Sequence, residues 1–155
     1  MKNINIETPQ LGRQRWMIVD DNQHVLSMMR SVLARFTDAD LQCFCSPHAA
    51  LATFTAAPEA FDFIITDLEM PGMSGIELGS RLKKISPATK VLLSTGSGIL
   101  TENEAVQRGF CGLLSKPFPF GSLRRVLERA GLVEMPVKNN FETSAALTLA
   151  KGCLA

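Results

Sequence analysis

Five polar side chains in this 155-residue chain follow directly on short apolar runs: Asp20 and Asp21 after Trp16 to Val19, Asp67 after Phe61 to Thr66, Thr95 after Val91 to Ser94, and Lys116 after Gly112 to Ser115. Three carboxylates, a hydroxyl and an ammonium are groups suited to holding a divalent cation and a phosphoryl group. Carboxylates suit Mg²⁺, which takes oxygen ligands in near-octahedral geometry and keeps several waters or substrate oxygens. Held close together without a cation, three acids repel. A carboxylate at such a site can accept a phosphoryl group as an acyl phosphate. Catalysis is then mostly positioning and charge neutralisation, to which the cation, Lys116 and the Thr95 hydroxyl would contribute.

The elements that must position these groups alternate in type. Strand-like runs at Trp16 to Asp20, Leu41 to Cys45, Phe61 to Thr66, Val91 to Ser94 and Gly112 to Ser115 are separated by helical periodicity. Several runs are apolar on both faces, as expected of a parallel sheet covered on both sides. Val25, Leu26, Met29, Val32, Leu33 and Phe36 recur at three- and four-residue spacing, predicting a helix over 22–36. Further helices are expected at Pro47 to Ala56, Gly75 to Ser86, Thr101 to Arg108 and Phe120 to Ala130. Thr101 with Glu104 has capping-box spacing, and Gly109 is a terminator. In such a sheet every strand points its C-terminal end at one edge, where ligands bind. All five polar positions therefore fall on that edge.

The segments Val19-Asp20-Asp21, Asp67-Leu68-Glu69-Met70-Pro71-Gly72-Met73-Ser74-Gly75, Ser94-Thr95-Gly96 and Lys116-Pro117-Phe118 resemble, in order, the motifs of response regulator receiver domains, with the likeness covering roughly 14–131. The resemblance implies a doubly wound, five-stranded flavodoxin-like (βα)5 fold with strand order 2-1-3-4-5. It implies Asp67 as phosphoacceptor and metal ligand, Asp21 as a direct Mg²⁺ ligand, Asp20 acting mainly through water, and the Glu69 backbone carbonyl as the remaining protein ligand. It further implies that Thr95 moves toward the phosphoryl group, that Lys116 contacts it, and that the Lys116-Pro117 bond is cis. The implied function is a phosphorylation switch loaded by the phosphohistidine of a sensor kinase or histidine phosphotransfer protein, acting through a downstream protein target and enzymatic only toward its own phosphoryl group. Leu113 stands where the family usually carries Tyr or Phe, so the usual aromatic rotation is missing. Glu69 and Ser97 resemble positions that tune hydrolysis of the acyl phosphate.

Blander readings stand beside these. Asp20 and Asp21 alone would suit a helix cap. His24 reads as solvated on the first helical turn, since the family's phosphodonor histidine belongs to the partner. Ile99 and Leu100 are equally a docking surface or the core anchor of the fourth helix. A phosphatase resembling haloacid dehalogenases would need Asp-x-Asp after its first strand. A receiver-like scaffold or adaptor that is not phosphorylated is the alternative function.

Composition bounds the rest. A net charge of +1 without long charge runs excludes the basic footprint of a nucleic-acid binder and a polybasic membrane patch. No run approaches the roughly 18 apolar residues of a membrane span, and 1–15 has no apolar signal core, so a cytoplasmic protein is expected. Cys43, Cys45, Cys111 and Cys153 are expected as free thiols, the first two as buried strand residues. The expected organisation is an N-terminal extension over 1–14, a receiver domain over 15–131 and a C-terminal tail over 132–155, too short for an output domain. In that tail Phe141, Ala145 and Leu149 would share one face of a short helix.

Overall fold

The computed structural model describes residues 13–133. The tail helix considered above and Cys153 lie outside them. Five parallel strands, β1 (Arg15–Val19), β2 (Asp40–Phe44), β3 (Phe63–Asp67), β4 (Lys90–Thr95) and β5 (Gly112–Ser115), form one sheet in the order β2-β1-β3-β4-β5. The intervening helices are α1 (Gln23–Leu33), α2 (Pro47–Ala56), α3 (Gly75–Ile85), α4 (Glu102–Gln107) and α5 (Phe120–Arg129). This is the flavodoxin-like order expected from the resemblance.

Alternate strand residues feed two separate cores. Met17, Val19, Ile64, Val91 and Leu93 pack with Phe54 of α2, Leu78 and Leu82 of α3 and Ala105 of α4. Trp16, Ile18, Phe63, Ile65, Leu92 and Leu114 pack with Leu26, Met29 and Leu33 of α1 and with Leu123, Val126 and Leu127 of α5. Near-continuous burial along β1, β3 and β4 is what a sheet covered on both faces requires.

Caps fix where helices start. Asn22 accepts from the backbone N–H groups of His24 and Val25, Ser46 caps α2 ahead of Pro47, and Ser74 caps α3. At α4 both halves of the capping box form: Glu104 N donates to Thr101 Oγ1 at 3.3 Å and Thr101 N to Glu104 Oε2 at 2.8 Å. Gly109, with φ of 84°, ends that helix in the left-handed region.

Three boundaries differ from the sequence reading for identifiable reasons. Helix α1 stops at Leu33, where Phe36 and Thr37 N–H groups both return to the Leu33 carbonyl in a tightened turn, yet Phe36 still packs on the core. Apolar periodicity thus outlasts the helix. Strand β3 begins at Phe63 because a 3-10 turn over Pro58–Ala60 and the residues after it carry Phe61 into the core from outside the sheet. Strand β2 ends at Phe44, so Cys45 falls outside it and is exposed, while Cys43 is only half-buried. The expectation of two buried strand cysteines is thereby corrected, and the thiols of Cys43, Cys45 and Cys111 are free as expected. Burial pushes the Cys43 and Cys111 thiols above the ordinary range, away from reactivity.

Candidate functional site

Register sets the site's geometry. Asp67 lies opposite Ser94, and Thr95 opposite Ser115, so the ends of β3, β4 and β5 advance together. Backbone bonds just past these ends hold the rim: Asp20 N donates to Phe44 O at 3.1 Å, Leu68 N to Ser94 O at 2.7 Å, and Lys116 N to Thr95 O at 2.6 Å. The peptide bond between Lys116 and Pro117 is cis, as the resemblance implied.

Three of the candidate residues meet in one pocket. Lys116 Nζ donates to Asp20 Oδ2 at 2.6 Å and to Asp67 Oδ1 at 2.7 Å. The two carboxylates are nearly inaccessible, with side-chain exposures of 5% and 8%, while the lysine side chain reaches solvent at 23%. Their remaining oxygens are held by the backbone: Asn22 N donates to Asp20 Oδ1 at 2.9 Å, and Glu69 N to Asp67 Oδ2 at 3.1 Å. Such charge-assisted bonds are the strong class. Because Asn22 caps α1, Asp20 is released from the capping role open to it in sequence.

The electrostatics follow from burial. Desolvation pushes the Asp67 carboxyl above the ordinary carboxylate range; the neighbouring Asp20 charge adds to this, and the Lys116 and Glu69 donors only partly offset it. For Lys116, burial works against the charged form, but the two carboxylates outweigh it and hold the ammonium above the ordinary lysine value. Lys116 therefore stays charged at neutral pH, and Asp67 is a carboxylate under strain from desolvation.

The other candidates lie around this centre. Thr95 is buried, and its hydroxyl shares a 3.1 Å hydrogen bond with Ser97 Oγ while accepting from Ser97 N at 3.2 Å. Asp21 and Glu69 have exposed side chains, and His24 is exposed on the first turn of α1. Among the described residues no three His, Cys, Asp or Glu side chains converge as a ready ligand set. The neutralising partner of the acids is instead the Lys116 ammonium. Ile99 is 75% exposed whereas Leu100 is buried in the core, which separates the two readings of that pair. Leu113 is half-buried beside the α2–α3–α4 core. The hydroxyl tie from Ser97 to Thr95 and the release of Asp20 by Asn22 were not evident from sequence; an Asn two residues past the acid was the only signal.

A doubly wound sheet with a buried acid pair and a lysine at its C-terminal edge defines the class of protein. The chain belongs to the response regulator receiver domain family, whose pattern matches residues 16–128. It is 30% identical over 121 residues to the response regulator protein PilR of Pseudomonas aeruginosa, covering 77% of this chain and 26% of that protein. It is 27% identical over 128 residues to sporulation initiation phosphotransferase F of Bacillus subtilis, covering 82% and 98%. The chain thus spans about a quarter of the first relative and nearly all of the second. Among solved structures, a receiver domain protein from Clostridium thermocellum superposes with a TM-score of 0.67 at 27% identity, covering 77% of this chain and 98% of that one. The chemotaxis protein CheY4 of Vibrio cholerae superposes at 0.64 and 28%, covering 76% and 98%. The chain is thus a receiver domain of two-component systems, a family of signalling modules. No helix among the described residues is long and apolar enough to cross a membrane.

Proposed function

We propose that Asp67 accepts a phosphoryl group from the phosphohistidine of a sensor kinase or histidine phosphotransfer protein, and that the phosphorylated chain signals by binding a downstream protein. The observation that supports this is the Lys116 bridge between Asp20 and Asp67, which holds the Asp67 carboxylate in a fixed, desolvated pose. In the transfer an Asp67 carboxylate oxygen bonds to phosphorus as the phosphorus–nitrogen bond of the donor breaks, and the imidazole leaves with the electron pair. Lys116 is placed to contact the phosphoryl oxygens, and the Thr95 hydroxyl to turn toward them by exchanging its bond to Ser97.

The family implies Mg²⁺, and the donor set fits it: the carboxylates of Asp20, Asp21 and Asp67 and the carbonyl of Glu69 are all hard oxygen ligands, and the buried pair already holds one cation. Bound there, the ion supplies the positive charge that neutralises acids and phosphoryl oxygens together.

Mass spectrometry after incubation with Mg²⁺ and acetyl phosphate tests the reading. A gain of one phosphoryl mass is expected in the parent and none in Asp67→Asn. Gain in both moves the acceptor elsewhere; gain in neither favours the unphosphorylated scaffold.

A further inference from the structure

A Thr95 hydroxyl that is to meet a phosphoryl group on Asp67 has to get there by its side chain alone. Leu68 N donates to Ser94 O at 2.7 Å and Lys116 N to Thr95 O at 2.6 Å, so the backbone is tied on either side. What remains free is rotation about the Thr95 Cα–Cβ bond, between staggered wells. That rotation is opposed. Thr95 Oγ1 accepts from Ser97 N at 3.2 Å and shares a 3.1 Å hydrogen bond with Ser97 Oγ, and at 1% exposure the residue has no solvent to replace them. The same two bonds hold the loop after β4. Among the described residues, 96–99 hydrogen-bond only to the Thr95 hydroxyl, and a Cβ added at Gly96 or Gly98 would meet nothing within 4 Å. Buried Leu100 and the Thr101 capping box anchor the far end, while Ile99 stands exposed between.

We propose that Ser97 is a positioning residue that latches Thr95: its hydroxyl holds the Thr95 hydroxyl away from Asp67 in the unphosphorylated chain, weakens loading of a phosphoryl group, and on letting go frees the 96–99 loop with Ile99. This rests on the reading of Asp67 as phosphoacceptor. The two ends of the latch face different competition. Thr95, buried, can give up Ser97 only for another partner, and a phosphoryl oxygen is a stronger, charged acceptor. Ser97, exposed, exchanges its lost partner for water at little cost. The turn of Thr95 and the release of the loop are then one event. Leu113 brings no ring to follow Thr95, so the loop is the element that registers the turn, and Ile99 is the apolar side chain whose surroundings change.

Beryllofluoride, a phosphoryl analogue, titrated into Mg²⁺-saturated protein under amide spectroscopy tests this. The proteins compared are the parent, Ser97→Ala, Ser97→Thr, Thr95→Val, the double variant of Thr95→Val with Ser97→Ala, and Asp67→Asn. Ser97→Ala, which keeps the backbone bond, is expected to bind the analogue about two- to tenfold more tightly than the parent, the effect of one net hydrogen bond lost from the unloaded state alone. Ser97→Thr restores a hydroxyl and should return to the parent's affinity. With Thr95→Val there is nothing to latch, so adding Ser97→Ala should change nothing. In the unmodified protein the Ser97 amide proton should exchange with solvent faster once the analogue is bound. Tighter binding that persists in the Thr95→Val background, or binding weakened by Ser97→Ala, overturns the latch, and so does unchanged exchange at Ser97. If Asp67→Asn abolishes uptake while Ser97→Ala leaves the affinity unchanged, the latch is wrong and the phosphoacceptor stands. If the parent takes up no analogue, or Asp67→Asn takes it up equally, the reading of Asp67 falls, and this inference with it.

Discussion

Three glycines on the same fold offer a graded test of how closely α3 is held against the acid-bearing strand. A Cβ added at Gly75 would lie 2.1 Å from the Asp67 carbonyl oxygen, 2.9 Å from its carbon and 3.1 Å from Leu68 Cα. All three are backbone atoms, so no side chain can rotate away. Restoring an ordinary contact near 3.4 Å means opening the α3–β3 junction by about 1.3 Å. That movement breaks the 2.9 Å bond from Gly75 N to Leu68 O and loosens Leu78 and Leu82, both fully buried. Overpacking of about 1–3 kcal/mol and a lost hydrogen bond of about 1 kcal/mol, offset by less than about 1 kcal/mol of helix propensity, give Gly75→Ala a destabilisation of roughly 1–4 kcal/mol. At Gly79 the clash is with a side chain, Phe110 Cε1 at 2.4 Å, and Gly79→Ala should lose about 1–3 kcal/mol. Gly121, in α5, has nothing within 4 Å, so Gly121→Ala should gain about 0.5–1 kcal/mol. Urea unfolding followed by the fluorescence of Trp16, the chain's single tryptophan and fully buried, measures all three. Because Gly75 touches Asp67 itself, its variant should also take up phosphoryl from acetyl phosphate more slowly than the Gly79 variant at matched stability. A Gly75→Ala protein within about 0.5 kcal/mol of its parent would refute the reasoning, since surface-like behaviour there means the junction is slack.

Other expectations concern charge and capping. The Asp67 carboxyl is raised by burial, so its contribution to stability is fully present below the ordinary carboxylate pKa and is lost as pH rises through the folded value. Ionising it in the folded protein is therefore a cost, and Asp67→Asn should stabilise the metal-free protein, an advantage that shrinks in unfolding curves taken toward pH 4. Thr101→Ala removes one half of the capping box and should cost about 1 kcal/mol, read as faster amide exchange within α4. The Thr101 bonds hold the Glu104 carboxyl below its ordinary range. This contribution is present above the ordinary glutamate pKa and fades as pH falls through the folded value, and the same variant, which keeps the backbone N–H bond from residue 101, should weaken that pH dependence without abolishing it.

Element order, strand type and the rim position of every candidate side chain were legible in the alternation of apolar runs, because parallel βα units leave few other arrangements. Strand β5 and helix α2 fall at Gly112–Ser115 and Pro47–Ala56, the bounds read from the sequence. What periodicity could not supply was the point at which an apolar residue packs without belonging to an element, as Phe36 and Phe61 do. The sequence indicated which side chains end at the rim and not which of them pair there. Adjacent carboxylates at 20 and 21 look equivalent in a sequence, and only the direction of each side chain buries Asp20 against Lys116 and leaves Asp21 in solvent. The bond from Ser97 to Thr95 was equally hidden, since it depends on a loop turning back on its own strand.

The sheet acts as a partition wall between two interior compartments. Trp16 and Ile18 belong to one and Met17 and Val19 to the other, so neighbouring residues on one strand report to different sides. Substitutions beneath α5, at Val126 or Leu127, can reach α3 only by displacing a strand, and close-packed strands resist displacement. Helices on one side can therefore drift in sequence with little consequence for the other. The insulation ends at the rim. There Lys116 after β5 binds both Asp20 after β1 and Asp67 on β3, so it is at the charged edge that the two halves of this protein are mechanically joined.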